Sequence, residues 1–346
     1  MIKVLVVDDS AIVRQVLERE LNRAEGLEIV GSAPDPYVAR DMIVDLRPDV
    51  VLLDIEMPRM DGLTFLKKLM QYYPLPVIIV SSLTKEGADL AVDAVNTGAV
   101  EVVSKPGSSF SVSELVPSLV DKIKAAARVN IHSYLQQPAQ KERRITTELA
   151  RKKITNKVIA IGASTGGTQA IDSLLQQLPG HVPGILIVQH MPENFTASFA
   201  ERLNERSALE VREARNNDSV VPGVALIAPG NYHMILRRSG ARFYVNVKQG
   251  PMICRQRPSV DVLFKSVAQN AGKNAAGALL TGMGKDGAEG LLQMMQAEAR
   301  TIAQDEKSSL VFGMPQEAIK LGAAESVLSL NAIPGALVEW ANSQGT

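Results

Sequence analysis

Three residues of this 346-residue chain have the types and settings that acyl transfer requires. Ser164 lies in GASTG, where the apolar run VIAIGA breaks off at glycines and a helix-like pattern begins. That layout fits the G-x-S-x-G turn, which lifts a serine hydroxyl clear of the backbone. It also resembles a glycine-rich phosphate loop, whose free N–H groups face an anion at a helix start, although no G-K-[ST] follows and Ser164 replaces the second glycine of the dinucleotide fingerprint; an ordinary turn is the third reading. A serine is a weak nucleophile until a base takes its proton, and the base needs an orienting group behind it. Among the four histidines, His132 falls in a polar stretch, His181 follows a helix-like segment and His233 lies in a hairpin pattern, so surface or packing roles suffice for them. His190 differs, because it ends GILIVQH, the next strand-and-helix unit after the serine. The carboxylate is sought in GALLTGMGKDGAEG, where Asp286 follows another apolar run by about five residues. Its bland alternative is a helix N-cap, and Glu289 belongs to the ensuing helix pattern and points away. Gly282, Gly284 and Gly287 would let backbone N–H groups face the site, and such donors stabilise an oxyanion by about 2.7–4 kcal/mol.

A second set stands in the first third of the chain. Asp8 and Asp9 close the run IKVLVV, Asp54 closes DVVLLD, Ser81 and Ser82 close PVIIVS, and Lys105-Pro106 follow AVEVV. A carboxylate pair after a strand is commonly a helix cap, and Lys-Pro is commonly a loop. In an open parallel sheet, however, the carboxyl ends of the strands share one crevice, so these residues converge. Three carboxylates in contact repel by several kcal/mol unless a divalent cation or a lysine offsets them. The cluster therefore predicts a hard cation, most simply Mg²⁺.

The elements that must hold these groups are legible as punctuation. Five short apolar runs, each followed by ten to fifteen residues of helical patterning, occupy the first part and predict five strand-helix units. Continuous apolar character implies strands buried on both faces, hence a parallel sheet covered by helices. A helical segment from Ser111 to Ala127 closes this region, and a Gln-, Lys- and Arg-rich stretch follows, with ERRITTELARKK able to form a short helix. From Ile154 apolar runs resume at KVIAIGA, GILIVQH, VALIAPG, GALLTGM and ARTIAQ, which predicts a second α/β domain. Alternation on either side of Ser239-Gly240 adds a β-hairpin beside its sheet. The expected division is 1–125, a linker over 126–153, and 154–346.

Composition sets the class. Hydrophobic residues make up 46% and charged residues 21%, the balance of a globular protein. No run reaches the roughly 20 apolar residues a spanning helix needs, and no signal-peptide layout precedes the first strand, so a cytoplasmic protein without membrane insertion is expected. The single cysteine, Cys254, excludes an internal disulfide and a cysteine-rich zinc site. Net charge is zero overall but divides into −6 over 1–125, +5 over 126–153 and +1 over 154–346. The basic segment reads as a solvated linker rather than a nucleic-acid patch.

The segments DVVLLDIEMPRMDGLTFL and SKP make the first region resemble a response-regulator receiver domain, which implies a flavodoxin-like fold. By that resemblance Asp54 is the phospho-acceptor, Asp8 and Asp9 hold Mg²⁺ with the Glu56 backbone carbonyl, and Ser81 and Lys105 contact the phosphoryl group. Val102 stands where many receivers carry an aromatic switch residue. The segments IGASTGG, QHMP, RPSVDVLF, TGMGKDG and VFGMPQEAI, behind such a receiver, resemble the chemotaxis protein-glutamate methylesterases of the CheB family. That resemblance implies a doubly wound, mainly parallel-sheet esterase domain with an inserted hairpin. It further implies Ser164 attack on glutamate γ-methyl esters of chemoreceptors, with His190 as base and acid, Asp286 as its orienter and the Met283 N–H in an oxyanion hole. Deamidation of receptor glutamines is the same chemistry on an amide. A chemotaxis histidine kinase would supply the phosphoryl group, Mg²⁺ would serve the receiver alone, and the unphosphorylated receiver would block the esterase crevice. Lys285 stands where the family more often has asparagine.

Two other classes compete with this resemblance. A DNA-binding output is disfavoured, because the second region is about twice too long for a simple helix-turn-helix module and has no basic recognition helix. The runner-up is a receiver-linked nucleotide-binding sensor module without esterase activity, in which Ser164 positions phosphate. Arg255 and Arg257 either contact substrate or brace their loop, with bracing favoured.

Overall fold

In the computed structural model, residues 1–82, 84–105, 112–129, 131 and 156–343 are described. The chain divides into two units, Met1–Pro138 and Ala139–Thr346. Most of the expected linker, including His132 and ERRITTELARKK, lies outside the described residues, as does Pro106.

In the first unit, β1 (Ile2–Val7), β2 (Leu27–Ala33), β3 (Val50–Asp54), β4 (Val77–Ser81) and β5 (Glu101–Ser104) form one sheet in the order β2-β1-β3-β4-β5. Every pairing is parallel. β3, β4 and β5 are buried at every position, as their unbroken apolar runs require. The intervening helices are α1 (Ala11–Leu21), α2 (Pro36–Leu46), α3 (Gly62–Tyr72) and α4 (Lys85–Thr97), with α5 (Val112–Ala126) last. Polar residues just past the strand ends start them: Ser10, Asp35, Asp61 and Thr84 each accept a backbone N–H of the first turn.

The second unit holds a seven-stranded parallel sheet in the order β14-β13-β12-β6-β7-β9-β8. Its strands are β6 (Val158–Ala163), β7 (Gly184–Gln189), β8 (Glu210–Glu213), β9 (Val224–Ile227), β12 (Ala275–Leu279), β13 (Arg300–Gln304) and β14 (Ser326–Leu328). From β6 the chain winds outward through β7 to β8 and β9, then returns to the other side of β6 with β12 and continues to β14. The order therefore reverses between β6 and β12, which opens a crevice beyond their carboxyl ends. The helices are α6 (Gly167–Gln177), α7 (Phe195–Arg206), α8 (Val260–Ala271), α9 (Ala288–Gln296), α10 (Met314–Lys320) and α11 (Ile333–Asn342).

The hairpin of β10 (His233–Ser239) and β11 (Arg242–Lys248) is antiparallel and separate from the large sheet. Its inward residues Met234, Leu236, Phe243 and Val245 join Val260, Leu263, Phe264 and Val267 of α8 in one core. The Ser266 hydroxyl accepts the Leu236 N–H at 2.9 Å, fixing the hairpin against α8. β8, β14, α10 and α11 were not anticipated, and β12 ends earlier than GALLTGM suggested, so Asp286 lies seven residues past the strand rather than five.

Candidate active site

Ser164 and His190 leave the sheet side by side because β6 and β7 are in register, with Ala163 opposite Gln189. His190 N donates to the Ala163 carbonyl at 3.2 Å. The Gln189 amide Nε2 spans both strand ends, donating to the Ser164 carbonyl at 2.9 Å and the His190 carbonyl at 3.3 Å. On its other flank Ser164 N donates to Thr281 O at 3.0 Å, so the nucleophile candidate is tied to the loop that carries Asp286. The left-handed residue of the turn is Gly166, at φ 78°, which starts α6. Gly282 is needed for a different reason: a methyl group there would lie 2.4 Å from Met314 Sδ and 2.7 Å from Ser164 Cβ.

His190 Nε2 lies 2.8 Å from Asp286 Oδ2, and both side chains are buried. An ionised carboxylate only accepts, so Nε2 carries the proton shared with Asp286, and in the neutral ring Nδ1 keeps the lone pair. That Nδ1 is buried with no hydrogen-bond partner, and Ser164 Oγ makes no hydrogen bond with it. The free lone pair is the one a general base uses, and such contacts are often loose before substrate binds.

Asp286 is strongly held. Besides His190 it accepts the Ser259 hydroxyl at 2.8 Å and the backbone N–H groups of Val260 at 2.7 Å and Asp261 at 3.1 Å. The expected cap role therefore exists, but toward α8 and not toward Asp286's own following helix, whose cap is Gly287. Burial pushes this carboxyl up, yet the hydrogen bond and charge of His190, with the Ser259 and Val260 donors, outweigh it and hold the group below the ordinary range. Glu289 is exposed.

Two of the three loop glycines do not turn their N–H groups to the site. Gly282 N donates to Val311 O at 3.0 Å and Gly287 N to Asp261 Oδ1 at 3.0 Å, both inside the fold. Among the described residues no acceptor takes the Met283 N–H. His233 has the packing role: it is buried, donates from Nε2 to Pro251 O at 2.9 Å, and accepts the Ser259 N–H on Nδ1 at 3.3 Å. Arg257 braces its loop through Asn231 Oδ1 and Gly250 O. Gln189 and Ser259 had no role assigned from sequence; each stood inside a quoted motif, but the side-chain bonds that matter reach across about 25 positions.

In the first unit, Lys105 Nζ lies 2.8 Å from Asp54 Oδ2 and 3.0 Å from Asp8 Oδ2. Neither oxygen has any other hydrogen-bond partner, and ligand atoms of Asp8, Asp9 and Asp54 lie within 4.8 Å of one another. Two buried carboxylate oxygens met only by the Lys105 ammonium, beside an exposed carboxylate, fit a hard cation that keeps part of its water shell. Burial raises the Asp54 carboxyl to about 6, against the Lys105 bond and charge. Glu56 donates its N–H to Asp54 Oδ1 at 3.3 Å and accepts the Ser82 hydroxyl at 2.9 Å. The Ser81 hydroxyl points elsewhere, donating to Gly87 O in α4 at 3.2 Å, and Val102 is buried.

Both halves of the chain match known families. Residues 159–337 match the CheB methylesterase family and residues 4–116 the response regulator receiver domain. The chain is 60% identical to the protein-glutamate methylesterase/protein-glutamine glutaminase 2 of Syntrophus aciditrophicus, over 97% of this chain and 98% of that one. It is 54% identical to the corresponding protein 4 of Anaeromyxobacter dehalogenans, over 99% and 96%. The crystal structure of the Thermotoga maritima CheB methylesterase catalytic domain is similar at TM-score 0.53 and 37% identity, covering 54% of this chain and 99% of that one.

Proposed function

Because this chain belongs to the CheB methylesterase family, with a receiver domain in front, we propose that its reaction runs through Ser164, His190 and Asp286. The chain is a chemotaxis protein-glutamate methylesterase and protein-glutamine glutaminase, regulated through its receiver. The relatives lend nothing to the nucleotide-binding alternative. The observation that carries the triad is the 2.8 Å His190–Asp286 contact, whose ring leaves Nδ1 free beside the strand end bearing Ser164.

In this reading Ser164 Oγ attacks the γ-ester carbonyl carbon of a receptor glutamate while His190 Nδ1 takes its proton. The imidazolium is stabilised by Asp286 through Nε2–H, and the Met283 N–H meets the oxyanion. His190 then protonates the departing methoxide, giving methanol and a Ser164 acyl ester. Water attacks that ester as His190 takes its proton, and the proton returns to Ser164 as free glutamate leaves. On a glutamine the first leaving group is ammonia.

The receiver half supplies regulation. Asp54 accepts the phosphoryl group and, with Asp8, Asp9 and the Glu56 backbone carbonyl, is assigned to Mg²⁺; Lys105 and Ser81, the latter once its hydroxyl turns from Gly87 O, are assigned to the phosphoryl oxygens. The cation would offset the carboxylate charge and the incoming phosphate charge. A kinase of the chemotaxis pathway is the assigned phosphodonor and chemoreceptors the substrate. Residues 1–125, 126–153 and 154–346 are assigned as regulatory domain, linker and catalytic domain. Among the described residues no helix is long and apolar enough to cross a membrane; the assigned location is the cytoplasm. The test is methanol release from methylated receptor fragments. Release by the native chain, rising with a small phosphodonor and Mg²⁺ and lost in Ser164→Ala, supports the reading; undiminished release by Ser164→Ala refutes it.

A further inference from the structure

Asp286 can orient His190 only if its own carboxylate is held still, and the protein supplies three donors for that purpose. Two are backbone N–H groups at the start of α8, and the third is the Ser259 hydroxyl, 2.8 Å from Oδ1. The direction of that bond is fixed by chemistry. Ser259 Oγ accepts the Val262 N–H at 3.4 Å, which occupies a lone pair and leaves the single hydroxyl proton for the carboxylate. Ser259 is in turn seated by His233, whose Nδ1 accepts its backbone N–H while Nε2 donates to Pro251 O. All of these side chains are buried: Ser259 is 1% exposed, Asp286 2% and His233 4%. Loss of the hydroxyl would leave Asp286 Oδ1 with the Asp261 N–H alone, at 3.1 Å.

We propose that Ser259 is a positioning residue for the reaction, a donor that fixes the Asp286 carboxylate and so sets the orientation and basicity of His190. It touches no substrate atom; it acts through Asp286. The inference rests on the triad reading above. A carboxylate short of one donor is less well compensated, so it attracts the imidazolium more strongly and raises the pH at which His190 loses its proton. The other titratable or charged groups facing Asp286 are His190 at the end of β7, Asp261 on α8 and Cys254 in the loop before it, with Lys285 and Lys265 acting at that loop. None of these changes in the variants below.

The helix-capping role of Ser259 is separable from its donor role. Glycine is nearly as good as serine at an N-cap, yet it has no hydroxyl. In the full chain, Ser259→Gly is expected to lower kcat by about 10- to 100-fold, the scale of a hydrogen bond to a charged group, with KM little changed. The acidic limb of its kcat/KM profile should move to higher pH, while the unfolding midpoint followed by Trp340 fluorescence falls only by the loss of that one hydrogen bond to a buried carboxylate. Ser259→Thr, which keeps the hydroxyl, should restore both rate and limb. The proposal is overturned if Ser259→Gly matches the native rate and limb, or if its rate falls only together with its unfolding midpoint while the limb stays in place. A native chain without methanol release, or an active Ser164→Ala control, would instead strike the triad reading itself.

Discussion

At the scale of single residues, the site depends on one negative charge kept where water cannot reach it. Asp286 is ionised at little cost because a helix N-terminus, a hydroxyl and an imidazole all face it. Its folded-state value lies below its unfolded one, so the ionised carboxylate adds stability at pH above about 4, and this contribution disappears as pH falls through the lower folded value. Asp286→Asn should therefore lower the stability of the catalytic half by about 1–3 kcal/mol at pH 7, with the deficit shrinking toward pH 3. Trp340, the single tryptophan, lies in that half and reports its unfolding in denaturant. Gly282→Ala offers a steric counterpart, since the added methyl meets Met314 and Ser164. A loss of at least tenfold in methanol release is expected, with a stability cost of about 1–3 kcal/mol. Ser164, His190 and Asp286 could be singled out in sequence because each stands where an apolar run breaks at glycine or polar residues. Ser259 and Gln189 could not, since a serine before a helix reads as a cap and a glutamine ending a strand reads as nothing in particular.

At the scale of elements, the reversal of strand order between β6 and β12 is what brings residues 164, 190 and 286 to one edge. The parallel strands of the centre were legible as unbroken apolar runs. β8 and β14 were not, because EVRE and SVL are short, partly exposed edge strands whose pairing depends on a neighbour. The end of β12 was misplaced because Thr281 continues the apolar-looking run, yet its N–H bonds the Gln304 side chain and not a strand partner. The C-terminal helix α11 is capped at a distance: Lys157 Nζ donates to Trp340 O at 2.8 Å and Ser343 O at 2.7 Å and lies over the Trp340 ring. Lys157→Met should leave methanol release intact, lower stability by about 1 kcal/mol, and shift Trp340 emission. Unchanged emission and midpoint would show that the lysine contributes nothing to holding α11.

At the scale of the whole molecule, an acidic regulatory half and a nearly neutral catalytic half are joined through a basic segment. Phosphorylation at the proposed acceptor Asp54 would replace one carboxylate charge by roughly −1.5 to −2 on the phosphoryl group, a net gain of about one negative charge at most, and would bring three acceptor oxygens beside Lys105. Asp54→Asn should keep basal methanol release and lose the response to a phosphodonor with Mg²⁺; full stimulation of that variant would remove Asp54 from the regulatory account. The receiver's chemistry was readable because its residues sit at strand ends in fixed order, whereas the inward turn of Ser81 toward Gly87 depends on how α4 packs. The central claim concerns one covalent bond. Acid quenching of the native chain during turnover of a methylated receptor fragment, followed by peptide mass mapping, should find the glutamyl acyl group on the peptide containing Ser164. An acyl group on any other residue, or turnover at the native rate by Ser164→Ala, would contradict it.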